Sequence, residues 1–195
     1  MLKAVQNSLR GQFEISLQGM QEINSQMTNI IQYGDLENIR RKHENQKIVF
    51  CSGSFDLPHG GHAIFLEDCK KFGDVLVVGV GGDEIIKQNK GPERPIMNER
   101  VRAKLISSLK PVDYCLIDDN SHRKHVFSFV EFVFDNLRPD VYVVNSDGFA
   151  MSARRELAKK YGVEMAVLER WAPKEFDEIS TTKIIKKIRG GEFQA

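Results

Sequence analysis

The chain has 195 residues, 41% of them hydrophobic and 28% charged, with a formal net charge of +1. That length holds one well-packed domain with an appendage, and the near-neutral charge argues against the basic stripe that general nucleic-acid binding needs. No apolar run approaches the ~20 residues that cross a bilayer. The first residues lack a signal-peptide core, and three cysteines without a C-x-x-C pair speak against a disulfide framework or a zinc site. A cytoplasmic protein without membrane insertion is expected.

Residues 1–45 are expected to form an N-terminal helical extension to a domain over 46–195. Leu2, Val5, Leu9, Phe13, Leu17, Met20, Ile23, Met27, Ile30 and Ile31 recur at intervals of mostly three and four, which gives one apolar stripe along a helix or helical pair. "QYGDLENIRRK" then reads as a break followed by a short helix. The stripe has two outlets: it packs on its own domain, or on a second copy in a homodimer.

From residue 47 apolar runs alternate with amphipathic stretches. The strands are "KIVFCSG", "DVLVVGVG", "VDYCLID", "DVYVVNS" and "VEMAVLER". The helices are "HAIFLEDCKKFG", "NERVRAKLISSL", "HVFSFVEFVFDNL", "SARRELAKKYG" and "STTKIIKKIR". Nearly continuous, β-branched strands imply a parallel sheet covered on both faces. The expected fold is α/β: a Rossmann-like, doubly wound, five-stranded parallel sheet. Ligands of such sheets sit beyond the carboxyl ends of the strands. "GVGGD" at 79–83 is a poor dinucleotide fingerprint, because no glycine follows at the proper offset and the helix start is wrong.

"SGSFDLPHGGH" follows the first of these strands, at the ligand end. Gly53 removes a side chain where the chain must be approached closely, and Gly60 and Gly61 allow a tight turn into the next helix. That helix start carries partial positive charge and unpaired N–H groups, which suit phosphate oxygens. His59 and His62, three apart, add two donors. Ser180, Thr181 and Thr182 precede "KIIKKI" and occupy a second helix cap and first turn, where hydroxyls and amides can also grip phosphate. Three hydroxyls exceed the needs of a cap.

"GSFDLPHGGH" resembles the G-x-F-D-x-x-H-x-G-H signature of the cytidylyltransferase-like nucleotidyltransferases, and "ISTTKII" is similar to their C-terminal I-S-T-T/S motif. The similarity runs over about residues 47–190. It implies transfer of a nucleotidyl group from CTP or ATP to a phosphorylated small molecule, with Mg2+ bridging the phosphates. By the same resemblance His59, His62 and Lys90 carry the chemistry, Lys90 from a glycine-proline loop. Gly53, Ser54, Phe55, Asp56, Gly61, Arg102, Arg170, Ile179, Ser180, Thr181 and Thr182 hold the nucleotide, and Lys87, Arg123, Lys124 and Asp147 the acceptor. No metal ligation by a side chain is expected, although Asp56 either helps to hold the metal or orders its loop. Trp171 either lines the base or acceptor pocket or packs.

Two kinds of enzyme in the family are similar. "KGPERPIMNERVRAKLISSLKPVDY" looks like the adenylyltransferase domain of ADP-heptose synthase. Arg123-Lys124 and Arg170 look like positions of glycerol-3-phosphate cytidylyltransferase. Where the heptose enzymes carry Lys-Gly-Gly-Asp after the fourth strand, this chain reads "VVNSDGF". The expectation is therefore CTP, with a small phosphorylated polyol, alcohol or sugar as acceptor, and ATP with a sugar phosphate as the alternative. A non-catalytic nucleotide sensor or scaffold is the rival from another class.

Overall fold

The computed structural model describes residues 29–119, 124–174 and 180–190. The stripe from Leu2 to Met27, Arg123 and Ile179 lie outside the described residues. The elements in chain order are β1 (Ile30–Ile31), α1 (Leu36–Lys42), β2 (Ile48–Gly53), α2 (Gly60–Lys70), β3 (Val75–Gly81), α3 (Asp83–Lys90) and α4 (Glu99–Ser107). They continue with β4 (Tyr114–Asp118), α5 (Ser128–Leu137), β5 (Val141–Asn145), α6 (Met151–Tyr161), β6 (Glu164–Leu168) and α7 (Thr181–Arg189).

All strand pairs are parallel, in the order β1-β4-β3-β2-β5-β6. Alternation along each strand divides the core in two. Ile48 and Phe50 of β2 face a layer made with α1, α5 and α6, and Val49 and Cys51 face a layer made with α2 and α4. Phe50 stacks on Tyr142 across the sheet, with ring centroids 5.7 Å apart, and Phe134 of α5 meets Tyr142 edge-on at 5.3 Å. Burying each such side chain contributes roughly 1.5–3 kcal/mol. The three cysteines are buried and unpaired, as small core residues.

Two features differ from the sequence reading. The sheet has six strands, because Ile30 and Ile31 pair with Cys115 and Leu116 of β4. Their spacing also fits the helical stripe, and two residues are too few to reveal a strand period. Residues 29–45 pack onto the domain, one of the two outlets expected: Leu36 and Ile39 of α1 have 0% and 5% of their surface exposed. Finally, a helix that the sequence reading does not include opens at Asp83, the last residue of "GVGGD". Gly82 is its N-cap, and a Cβ there would lie 2.2 Å from the Asp118 carbonyl oxygen. Lys90 is thus the last residue of α3, with Gly91 capping it at φ 95°, not part of a loop.

The chain diverges at β2, which pairs with β3 on one side and β5 on the other. The crevice at such a switch point is where doubly wound sheets take ligands. The 54–59 loop and the start of α2 lie there. Among the described residues no helix is long and apolar enough to cross a membrane.

Candidate active site

The loop leaving β2 is built around two strained residues. Phe55 and Leu57 adopt left-handed φ values of 46° and 48°, conformations that cost a non-glycine residue of order 1 kcal/mol or more each. The strain turns Phe55 back over the strand end, where its ring is 4% exposed. A Cβ on Gly53 would meet that ring at 3.0 Å. The close approach that needs Gly53 is therefore made by Phe55 itself. The same ring meets His62 edge-on, at 5.4 Å between centroids.

Asp56 is 1% exposed. Its carboxylate accepts from the amides of Ile96 (3.0 Å) and Met97 (3.1 Å) and pairs with Arg94 Nε at 2.7 Å. Of its two expected roles, loop ordering is the one these contacts perform: the carboxylate staples the 94–97 segment to the 54–59 loop. Arg102, expected beside the nucleotide, has no exposed surface. It donates to Met97 O (2.8 Å) and Ser54 O (2.5 Å) and pairs with Asp83 at 2.7 Å. A guanidinium so enclosed ties the site together from beneath. It does not line the cavity.

His59 caps α2. Its Nδ1 accepts from the Gly61 amide at 3.1 Å, and Nδ1 of His62 accepts from the His59 amide at 3.3 Å. An imidazole whose Nδ1 accepts carries its proton on Nε2, so both rings offer an Nε2–H donor. The ring centroids are 4.0 Å apart. Burial, then Arg170, pushes the His59 pKa down. Burial, then His59, Arg170 and Lys90, lowers that of His62 to about 3, against a smaller opposing pull from Asp56. Both rings are neutral donors near pH 7.

The second motif reaches this loop directly. Thr181 Oγ1 donates to the Asp56 carbonyl oxygen at 2.6 Å, across 125 residues of sequence. Ser180 caps α7, its side chain accepting from the Lys183 amide at 3.2 Å. His59, Gly61, His62, Arg170, Ser180, Thr181 and Thr182 all line one cavity of about 800 Å³. Two helix N-termini therefore face one space. Thr182 also borders a second cavity of about 600 Å³, which contains Lys90, Arg94 and Lys186. Lys90 keeps part of its surface open, yet burial by its surroundings and then Arg94 lower its pKa, and its charge reaches His62.

The remaining expected residues fall into two groups. Arg170 lines the main cavity and pairs through Nε with Asp147 at 2.9 Å, which joins a nucleotide candidate to an acceptor candidate. Lys87 and Lys124 are not brought to either cavity. Lys87 pairs with Glu84 at 2.7 Å on the outer face of α3, and the Lys124 amide donates to Ser128 Oγ. Sequence reasoning missed Arg94, the counter-charge of the buried Asp56. Only its place in "GPERP", two residues before the amide that Asp56 accepts, hinted at the role.

Residues 50–187 match the cytidylyltransferase-like family, and the chain belongs to it. The chain is 37% identical over 150 residues to the bifunctional protein HldE of Helicobacter pylori (strain HPAG1), covering 76% of this chain and 29% of that protein. It is 35% identical over 147 residues to HldE of Alcanivorax borkumensis, covering 75% and 28%. The chain thus spans less than a third of these curated relatives. Among solved structures, the lipopolysaccharide core biosynthesis protein of Thermoplasma volcanium matches with a TM-score of 0.52 at 28% identity, over 66% of this chain and 99% of that one. Pantoate-beta-alanine ligase of Francisella tularensis, at 15% identity and a TM-score of 0.51, covers 82% and 76% and shares the fold alone.

Proposed function

We propose that the chain transfers the adenylyl group of ATP to a phosphorylated sugar, releasing pyrophosphate and forming an ADP-linked sugar. The observation that carries the transfer is the Thr181–Asp56 hydrogen bond, which sets the I-S-T-T helix against the H-G-G-H helix on one cavity. The choice of ATP over the CTP expected from sequence rests on the HldE relatives, which support the adenylyltransferase alternative better than a CTP-and-polyol reaction.

In this reading an acceptor phosphate oxygen attacks the α-phosphorus in line. The bond from that phosphorus to the bridging oxygen breaks, and the electron pair leaves with pyrophosphate. A phosphate monoester is already ionised at neutral pH, so no general base is required. The chain supplies positioning and charge stabilisation. The Nε2–H groups of His59 and His62 donate to phosphate oxygens, the partial positive charge of the α2 and α7 helix starts favours them, and Lys90 and Arg170 neutralise charge that builds as phosphorus becomes five-coordinate.

Among the described residues no three His, Cys, Asp or Glu side chains converge as a metal site, and the Asp56 carboxylate is already occupied. Magnesium would accordingly be held by the oxygens of the triphosphate and would supply charge neutralisation there.

Pyrophosphate release from ATP and from CTP, each against a panel of sugar phosphates and glycerol phosphate, tests the reading. Release with ATP and a sugar phosphate is expected. Release with CTP alone would return the cytidylyl reading. Tight nucleotide binding without release from any pair would favour the sensor.

A further inference from the structure

We infer that Trp171 is the stacking platform for the adenine of ATP, and that Asp68 orients it; this rests on the adenylyl-transfer reading above. Trp171 follows β6 on the wall of the main cavity and leaves 56% of its surface exposed, unusual for so large an apolar side chain. Its indole N–H is not free to turn. Nε1 donates to Asp68 Oδ2 at 2.6 Å, and Asp68 is itself held by Lys71 at 2.6 Å through its other oxygen. The tether fixes the polar edge of the indole and leaves its carbon surface to the cavity. A tryptophan with a packing role alone would bury that surface.

The distances suit a nucleotide. Gly61 and Asp68 both line the cavity from α2, seven residues apart, which is about 10 Å at the helical rise. The span from a phosphate at the helix N-terminus to a base beside Asp68 is the length of a nucleoside. Ile64 and Phe65, between them on α2, line the same cavity and supply an apolar side. Around Trp171 the lining mixes apolar Leu168, Ala172 and Pro173 with charged Glu169 and Lys174.

Trp171 is the chain's only tryptophan, so its fluorescence reports on this position alone. Titration of the full chain with ATP, and separately with inorganic triphosphate, distinguishes base from phosphate. ATP is expected to quench the emission, while triphosphate competes with ATP yet leaves the emission unchanged. Trp171→Ala should weaken ATP binding about tenfold or more, and Trp171→Phe should recover most of it. Asp68→Ala should shift the emission of the parent and weaken ATP binding several-fold, with thermal melting near that of the parent. Equal quenching by triphosphate, or unchanged ATP affinity in Trp171→Ala, would overturn the inference. ATP quenching without pyrophosphate release from any acceptor would instead remove the transfer reading and leave the platform standing.

Discussion

The two helix starts that face the cavity are built differently. α2 buries Ile64, Leu66 and Cys69 in the core, and its first turn rests on the Phe55 ring. α7 buries none of its residues. It is held at its start by the Thr181–Asp56 hydrogen bond and at its end by an ion pair between Arg189 and Glu93 at 2.7 Å. One half of the proposed phosphate grip is part of the hydrophobic core; the other is docked on it. Burial supplies most helical stability in proteins, so α2 is set by folding, whereas α7 gains from whatever bridges the two.

Asp56 joins the halves, because its side chain holds 94–97 and its carbonyl holds α7. Asp56→Ala leaves the Arg94 charge without its buried partner. Thermal and denaturant unfolding should show a loss of about 3 kcal/mol or more. His62→Ala should come next, lowering kcat about 100-fold with the fold intact, in line with losing one transition-state donor. A variant with near-full activity would remove His62 from the mechanism. Thr181→Val removes the hydroxyl donor at the docked half. A stability loss of about 1 kcal/mol is expected, with a several-fold rise in KM for the nucleotide and a smaller change in kcat.

A further effect concerns pH. His62 has a folded-state pKa of about 3, below the unfolded value near 6.5. Between these values the unfolded chain binds the extra proton, so this contribution to stability is present above about pH 6.5 and is lost as pH falls toward 3. His62→Gln should flatten the acid side of the stability profile in denaturant melts between pH 7 and 4. Bound triphosphate, by placing negative charge at Nε2, should raise the His62 pKa, which calorimetry in buffers of different ionisation heat would read as proton uptake.

The same contrast between core and docked parts explains what could be read from sequence. β2 to β6 and the helices around them were legible because continuous apolar strands and helical periods announce buried faces. The two motifs at the starts of α2 and α7 were legible as patterns of glycine, histidine and hydroxyl residues, and the structure brings both to one cavity. The roles of the cations were not. Nothing in "NERVRAKL" tells that Arg102 is enclosed by Ser54, Met97 and Asp83, because those partners come from three other segments. Helix α3 was hidden because "DEIIKQNK" buries only Ile86 and so carries a thin apolar stripe. The base was hidden too, since adenine and cytosine differ in edge contacts that spacing does not encode.

The most direct test follows the backbone amides of Gly61 and His62 on α2 and of Thr182 and Lys183 on α7 by NMR during one ATP titration. Joint shifts of both pairs with a single midpoint are predicted, since one triphosphate is gripped by both helix starts. Movement of only one pair, or two separate midpoints, would contradict a shared site.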